Sequence, residues 1–410
     1  MRHPLLRITL PLSGVNFLTQ AARAVLSVVG PVLAVQYGLS ASQLGLLSAV
    51  MFAAYGLWQL PVGLLLDLYG PRAVQTCMAV VAAAGFAAFA LADGMTGFML
   101  ARALMGVGVA SGLMAVLKAH SLWFQRHQVA AVTGIAMVVA GSGGLAVTAP
   151  ADALLPLIGW RGVFWVLAAL GLLSAAACWL SVREPPRAEA GGRRRDGRKV
   201  AEAVAVVGAI YSHPVFWRFT PSVILLTIIN FSYQALWAGP WLRDVAGLGG
   251  SARASVLFCY ALGLMAGAFV TGQLATRMQA RGWSPMTIPF ACAFGVMAVQ
   301  LALLCGPTGH LTVTLLWVAL PFFASAGPAG YAAIAQIFPV EQMGRVSTAI
   351  NTITLAGAFA LQTAIGAILD LWPRTASGGW ASAGYGWALA LSIALQLAAL
   401  VWAALPRHRR

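Results

Sequence analysis

The chain has 410 residues, 60% of them hydrophobic and 9% charged, with a mean hydropathy of +0.84. A soluble domain carries about 25% charged residues, so this composition excludes a protein with a water-facing surface all round. The formal net charge of +15 would suggest nucleic acid in a soluble protein, but its distribution along the chain gives it another meaning.

Apolar runs of about 20 residues fit the ~30 Å hydrocarbon core of a bilayer. Six such runs predict helical spans over 10–36, 42–66, 73–92, 97–118, 129–151 and 162–182. Six more follow over 216–241, 252–275, 286–305, 311–337, 347–370 and 386–405. Run length favours helices, because barrel strands alternate over only ~10 residues. The first span follows a short basic start but has no clear small-residue cleavage site, so it reads as a retained span rather than a leader. The expected class is all-α and integral to the membrane.

With the amino terminus inside, the cytoplasmic connections and both termini hold 19 of the 25 Lys and Arg residues. Arg161, Arg243, Arg253 and Arg374 fall in outer connections, and Arg23 and Arg102 fall within spans. This is the positive-inside pattern, and it accounts for the basic balance without nucleic acid. The five cysteines, Cys77, Cys178, Cys259, Cys292 and Cys305, all lie in predicted spans without metal-ligand spacing. They read as small buried hydrophobes. The six histidines lie at span ends, loops or termini and indicate nothing specific.

The longest connection divides the spans six and six. It carries Arg183, Arg187, Arg193, Arg194, Arg195, Arg198 and Lys199, and reads as a solvated tether near anionic headgroups. Residues 200–211 are expected to form a short interfacial helix. The domains are thus a bundle over 1–182, a basic linker over 183–215 and a second bundle over 216–410. Two traces of a repeat share one offset of 214 positions. Asn16-Phe17-x-x-Gln20-Ala21 returns as Asn230-Phe231-x-x-Gln234-Ala235, and Phe124…Gln128…Val132-Thr133 returns as Phe338…Gln342…Val346-Ser347. Two parallel repeats facing each other frame a cavity that opens to either side in turn.

Between the second and third spans stands Gly63-Leu64-Leu65-Leu66-Asp67-Leu68-Tyr69-Gly70-Pro71-Arg72. Gly70 permits a tight turn, Arg72 holds the loop inside, and Asp67 can accept from helix-end amides or a nearby cation. This G-x-L-x-D-x-x-G-x-R segment resembles the loop motif of the major facilitator superfamily. The resemblance implies twelve spans in two pseudo-symmetric six-helix bundles. It implies that Asp67 locks the halves by touching the start of the eleventh span, near Gly344–Thr348, with Leu68 standing where a further basic residue is usual. Arg102 with Gly106 and Gly108 resembles the fourth-span arginine motif, to which proton or conformational coupling is attached. Gly159-Trp160-Arg161 is similar to the outer turn before the sixth span, and Phe338-Pro339-x-Glu341-x-x-Gly344-Arg345 to the loop before the eleventh. The second copy of the loop motif has Thr276 in place of the acid. The fifth span reads Gly141-Ser142-Gly143-Gly144 without the adjacent proline of the antiporter motif, which leans against drug/proton antiport. The resemblance implies a monomer and no cofactor.

Arg23 carries the most information about cargo. A charge at mid-span costs about 2.5–3.5 kcal/mol on insertion scales. Asn16, Gln20, Arg23 and Ser27 are spaced 4, 3 and 4 apart and share one helical face. Asn230, Tyr233, Gln234 and Trp237 form a comparable stripe on the seventh span, and by resemblance the first and seventh spans line the central cavity. No Asp or Glu falls in mid-span, so the charge of Arg23 is answered either by backbone carbonyls or by an anionic ligand held bidentately. Sugar-phosphate and organic-acid permeases of the superfamily carry such an arginine in the first span; here Gln20-Ala21-Ala22 precedes it where an acid is common. Tyr55, Gln59, Tyr260, Tyr331 and Asn351 are further candidate donors, each equally suited to bonds between helices. Arg102, five residues into its span, is close enough to the outer end to reach the interface. Lys118, at the cytoplasmic end of the same span, reads as an anchor.

The leading expectation is a secondary transporter of a small organic anion, carboxylate or organophosphate, in a bacterial inner membrane with both termini cytoplasmic. With no mid-span carboxylate to carry a proton, exchange for a counter-anion or cotransport of a proton on the substrate is expected. An exporter of amphipathic compounds, supported by Trp58, Tyr233, Trp237 and Tyr260, is the alternative. A membrane enzyme lacks any nucleophile, base or metal grouping. Soft-metal import lacks a facing methionine pair.

Overall fold

The computed structural model describes residues 5–182, 208–307, 309–339, 342–375 and 378–405. The basic linker residues from Arg183 to Lys199, residues 200–207 of the expected interfacial helix, and Glu341 lie outside them; residues 208–212 are helical.

A π-helical turn, Leu5–Thr9, leads into α1 (Leu10–Tyr37), so the first span begins earlier than its apolar run. α2 (Ala41–Leu91) holds the second and third spans, joined at Gly70, whose φ of 78° and ψ of 167° reverse the chain. α3 (Met95–Val109) and α4 (Gly112–Trp123) together make the fourth span, with a break at Ala110 and Ser111. α5 (Arg126–Ala146) is the fifth. α6 (Ala149–Ser181) adds a segment before the sixth span and breaks at Gly159, with φ 66° and ψ 175°.

The seventh span is α7 (Pro214–Ser232), a π-helical turn over Tyr233–Trp237, and α8 (Ala238–Asp244). α9 (Gly250–Ala280) and α10 (Thr287–Leu304) are the eighth and ninth. α11 (His310–Ala324) and α12 (Gly327–Ala335) form a second broken span, and α13 (Met343–Leu369) and α14 (Ser382–Ala404) complete the chain. Among the described residues, eleven stretches are long and apolar enough to cross a bilayer, and α5, apolar over Val132–Ala146, is the twelfth. Ser111 sits in the first broken span and Ser325 in the second, the same 214 positions apart as the sequence repeat.

Both π turns precede a proline, Pro11 and Pro240, whose missing N–H removes a helical bond that the wider turn absorbs. α2 starts on a capping box in which Gln43 N donates to Ser40 Oγ and Ser40 N to Gln43 Oε1. Such satisfaction matters in hydrocarbon, where no water replaces a lost partner.

The residues form two compact units. The first gathers the described residues of Met1–Gly192 with Gln234–Pro240 and Gly249–Phe258; the second holds those of Arg193–Tyr233, Trp241–Leu248 and Cys259–Arg410. In the first unit α1 packs on α5, α6, α2 and α4, and α2 on α3 and α6. Backbones meet directly there, because lipid supplies no hydrophobic drive between helices. A Cβ on Gly143 would stand 2.0 Å from the Phe17 carbonyl oxygen, and one on Gly106 2.4 Å from that of Met51. At one end Tyr37, Phe89, Phe98, Trp160 and Phe164 pack together, with Phe89 and Phe164 stacked at 4.2 Å. In the second unit α7 is the hub, packed on α13, α14, α12, α10 and α11. Its aromatic centre is Trp317, with Tyr233, Trp241 and Tyr260 around it.

Candidate functional site

The stripe on α1 divides into two parts. Asn16 is 5% exposed and pressed against α4, where a Cβ on Gly112 would lie 2.6 Å from its Oδ1. Ser27 is 1% exposed, and its hydroxyl donates to the Ala24 carbonyl at 2.6 Å. The middle of the stripe, Gln20 and Arg23, remains partly exposed. Arg23 Nη1 donates to Gln20 Oε1 at 3.3 Å, and its guanidinium stands 5.3 Å from the Tyr55 ring and 5.9 Å from Phe52. An amide one turn back and two aromatic faces from α2 therefore help to hold this cation in place.

Gln234 joins this group. Around Gly144 on α5, the position of an added Cβ lies 3.8 Å from Gln234 Nε2 and 3.9 Å from Gln20 Cβ. The two glutamines related by the repeat thus face one glycine of the first unit. Asn230, Tyr233 and Tyr260 do not share that setting. Tyr260 Oη donates to Asn230 Oδ1 at 2.8 Å, all three residues are nearly buried in the second unit, and the Tyr233 ring packs edge-on against Trp317 at 5.5 Å. Trp237 is fully buried within the π turn.

Arg102 corrects the expectation that it reaches the outer interface. It is fully buried. Its Nη1 donates to the Ala22 carbonyl at 2.7 Å and its Nε to that of Leu47 at 3.3 Å, tying α3 to α1 and α2 beside Arg23. Two turns on, the break in the fourth span is filled from the first, second and third spans. Gln59 Nε2 donates to the Ala110 carbonyl, Thr19 to that of Val109, and Ser111 to Gln75 Oε1 at 2.6 Å. Sequence reasoning finds Gln59 as a cavity donor and overlooks Gln75 and Ser111, because a helix break inside an apolar run leaves no compositional mark.

At the turn of α2, Gly70 has the positive φ expected of it. Arg72 donates twice to the Trp179 carbonyl, at 3.1 and 2.8 Å, and lies over the Trp179 ring. It caps the end of α6, where helix carbonyls attract a cation. Asp67 accepts from Lys118 Nζ at 2.6 Å, and the same ammonium reaches the Leu66 carbonyl. Spacing alone does not disclose this partner, since the place of Lys118 at a span end suggests only an anchor. Gly63 has open space beside it. Across the unit, Arg161 binds the Ala90 and Ala92 carbonyls, the Tyr37 hydroxyl and Asp93, which fastens the Gly159 turn. Among the described residues no group of three His, Cys, Asp or Glu side chains could hold a metal.

Residues 12–362 match the sequence profile of the Major Facilitator Superfamily. The chain belongs to this family. It is a transporter working by alternating access, not an enzyme. Among solved structures, a bacterial homologue of the human lysosomal transporter Spinster, inward-facing and unoccupied, superposes with a TM-score of 0.78 at 19% identity, covering 98% of this chain and 97% of that one. A point mutant of the nucleoside transporter NupG gives 0.76 at 10% identity over 96% and 99%. The D-xylose–proton symporter gives 0.73 at 16% identity over 96% of each. These likenesses are of fold. No curated protein matches the chain in sequence.

In this superfamily chain the second loop motif departs as its sequence suggests. Thr276, standing where the first copy has Asp67, turns its hydroxyl back to the Gly272 carbonyl at 3.0 Å and so stays within its own helix.

Proposed function

We propose that this facilitator moves a small organic anion of the carboxylate or organophosphate class, with Arg23 as the main charge contact. The observation that carries the reading is the setting of Arg23. It is a mid-span guanidinium, partly exposed, beside a neutral amide and two rings, whereas Arg102 is fully buried. A planar fork held this way favours a bidentate partner of opposite charge. Gln20, Gln234 and Tyr55 would orient the rest of the substrate. Asn230, Tyr233, Trp237 and Tyr260 would stiffen the seventh span, and Asn16 would brace the fourth. Since Tyr233, Trp237 and Tyr260 are each at most 2% exposed, they lend little to an exporter of amphipathic compounds.

The positive-inside pattern supports an orientation with both termini cytoplasmic; the inner membrane of a bacterium, and bundles over 1–182 and 216–410 joined by a basic tether, complete the reading. Gly63, Asp67, Gly70, Arg72 and Arg102 are read as the parts that govern conformational change. Exchange against a counter-anion, or cotransport of a proton on the substrate, would drive a monomer.

The test is a thermal-shift screen of wild type and Arg23→Gln against carboxylates, phosphate monoesters, neutral sugars and lipophilic cations. Stabilisation grows with ligand excess and reaches about 2.7 kcal/mol near 100-fold over Kd. Anion-specific shifts that disappear in Arg23→Gln are expected. Equal shifts with cations or neutral compounds in both proteins would overturn the reading.

A further inference from the structure

Pro31 lies inside α1 and has no N–H to give the carbonyl four residues back, that of Ser27. A carbonyl left without its helical donor inside a membrane protein needs another partner. Elsewhere in this chain the same need is met plainly. Pro221 releases the Trp217 carbonyl, and the Trp402 indole donates to it at 3.0 Å.

At Ser27 the neighbour is Gly239 of α8. A Cβ built on Gly239 would stand 1.9 Å from the Ser27 oxygen and 2.9 Å from its carbon. Since a Cβ lies about 1.5 Å from its Cα, the Gly239 Cα–H points at that oxygen within range of a weak hydrogen bond. Glycine alone allows the approach. Related contacts surround it: Gly30 meets Leu236 Cδ1, with an added Cβ at 3.0 Å, and Gly250 faces the Asp152 carboxylate at 3.8 Å. All these residues belong to the first unit, as does the whole segment Gln234–Pro240, whereas the preceding residues through Tyr233 belong to the second. The division falls inside the π turn Tyr233–Trp237.

We infer that Gly239 is the residue through which the outer half of the seventh span closes onto the first, and that its missing side chain sets the balance between outward-closed and outward-open states. Alternating access requires this seam to part once per cycle. On parting, the Ser27 carbonyl exchanges a Cα–H partner for water, an acceptor that Pro31 has already freed from its own helix. The π turn supplies the joint, because its looser ladder bends without breaking a regular α-helical bond. This inference rests on alternating access and on the proposed orientation with cytoplasmic termini, and does not require the cargo to be an anion.

The experiment places a reporter at Leu236→Cys, a fully buried position, and follows its labelling by a bulky water-soluble maleimide, with the protein lacking that cysteine as background. Gly239→Ala is expected to raise the labelling rate about tenfold or more, as an overpacked contact with backbone must open. Gly30→Ala is expected to leave it near the background rate, since its one close neighbour, Leu236 Cδ1, is removed by the reporter substitution itself. Gly134→Ala, which adds its methyl to open space, is expected to leave it unchanged. If Gly239→Ala labels like Gly134→Ala, the inference is overturned. Should Gly239→Ala fail to elute as a folded species, Pro31→Ala decides instead. It returns an N–H to Ser27 and is expected to weaken the seam and raise labelling; no rise would refute the proposal.

Discussion

Gly63 and Gly70 belong to one signature, yet the structure gives them opposite energetics. Gly70 has φ 78° and ψ 167°, a region essentially reserved for glycine, where a residue with a side chain is strained by about 1–3 kcal/mol. Gly63 is helical, with nothing within 4 Å of an added Cβ. There alanine removes freedom from the unfolded chain and gains about 0.4–1 kcal/mol. Gly70→Ala should therefore be less stable than Gly63→Ala by about 1.5–4 kcal/mol, the sum of the two effects. Unfolding of each purified variant in detergent, followed by thiol exposure of buried Cys178 and Cys292, measures the difference. The reversal at Gly159, φ 66° and ψ 175°, predicts the same loss for Gly159→Ala. Equal stability of Gly63→Ala and Gly70→Ala would refute the argument from backbone conformation. Loss of transport in Gly63→Ala with full stability would separate a role in motion from a role in folding.

Two further predictions follow from the bonds around the spans. Lys118→Met should lower stability by no more than about 1 kcal/mol, because Asp67 is 63% exposed and such pairs are weak. Its transport rate should change more than its melting temperature if the loop governs motion, and parallel losses would contradict this. Tyr260→Phe removes the donor to Asn230 and should cost about 0.6–1.7 kcal/mol, as bonds between membrane helices do. Unchanged stability would place that bond among the dispensable ones.

Much of the architecture could be read from run length. Twelve apolar runs are a property of side chains, and the bilayer selects on side chains. Gly70 was legible for the same reason, since a reversal between two spans needs a residue without a Cβ. The parts that escaped involve backbone. Arg102 looked able to reach an interface, but its partners are the carbonyls of Ala22 and Leu47, which no pattern of side chains discloses. The π turn at Tyr233–Trp237 rotates that stripe, so that Tyr233 packs on Trp317 while Gln234 meets Gly144. A periodicity drawn at 3.6 residues per turn assigns both to one face. Asn16 shows the same limit from the other side: it shares a face with Arg23 by spacing, yet the break at Ser111 brings Gly112 close enough to cover it.

The central claim is that Arg23 holds the charge of an anionic substrate. Counterflow in proteoliposomes, using whichever anion stabilises the protein most, tests it directly in wild type, Arg23→Lys and Arg23→Gln. The account predicts saturable exchange in wild type, a raised KM in Arg23→Lys because the ammonium lacks the planar fork, and no exchange in Arg23→Gln despite normal folding. Exchange by Arg23→Gln at the wild-type rate and KM would contradict it.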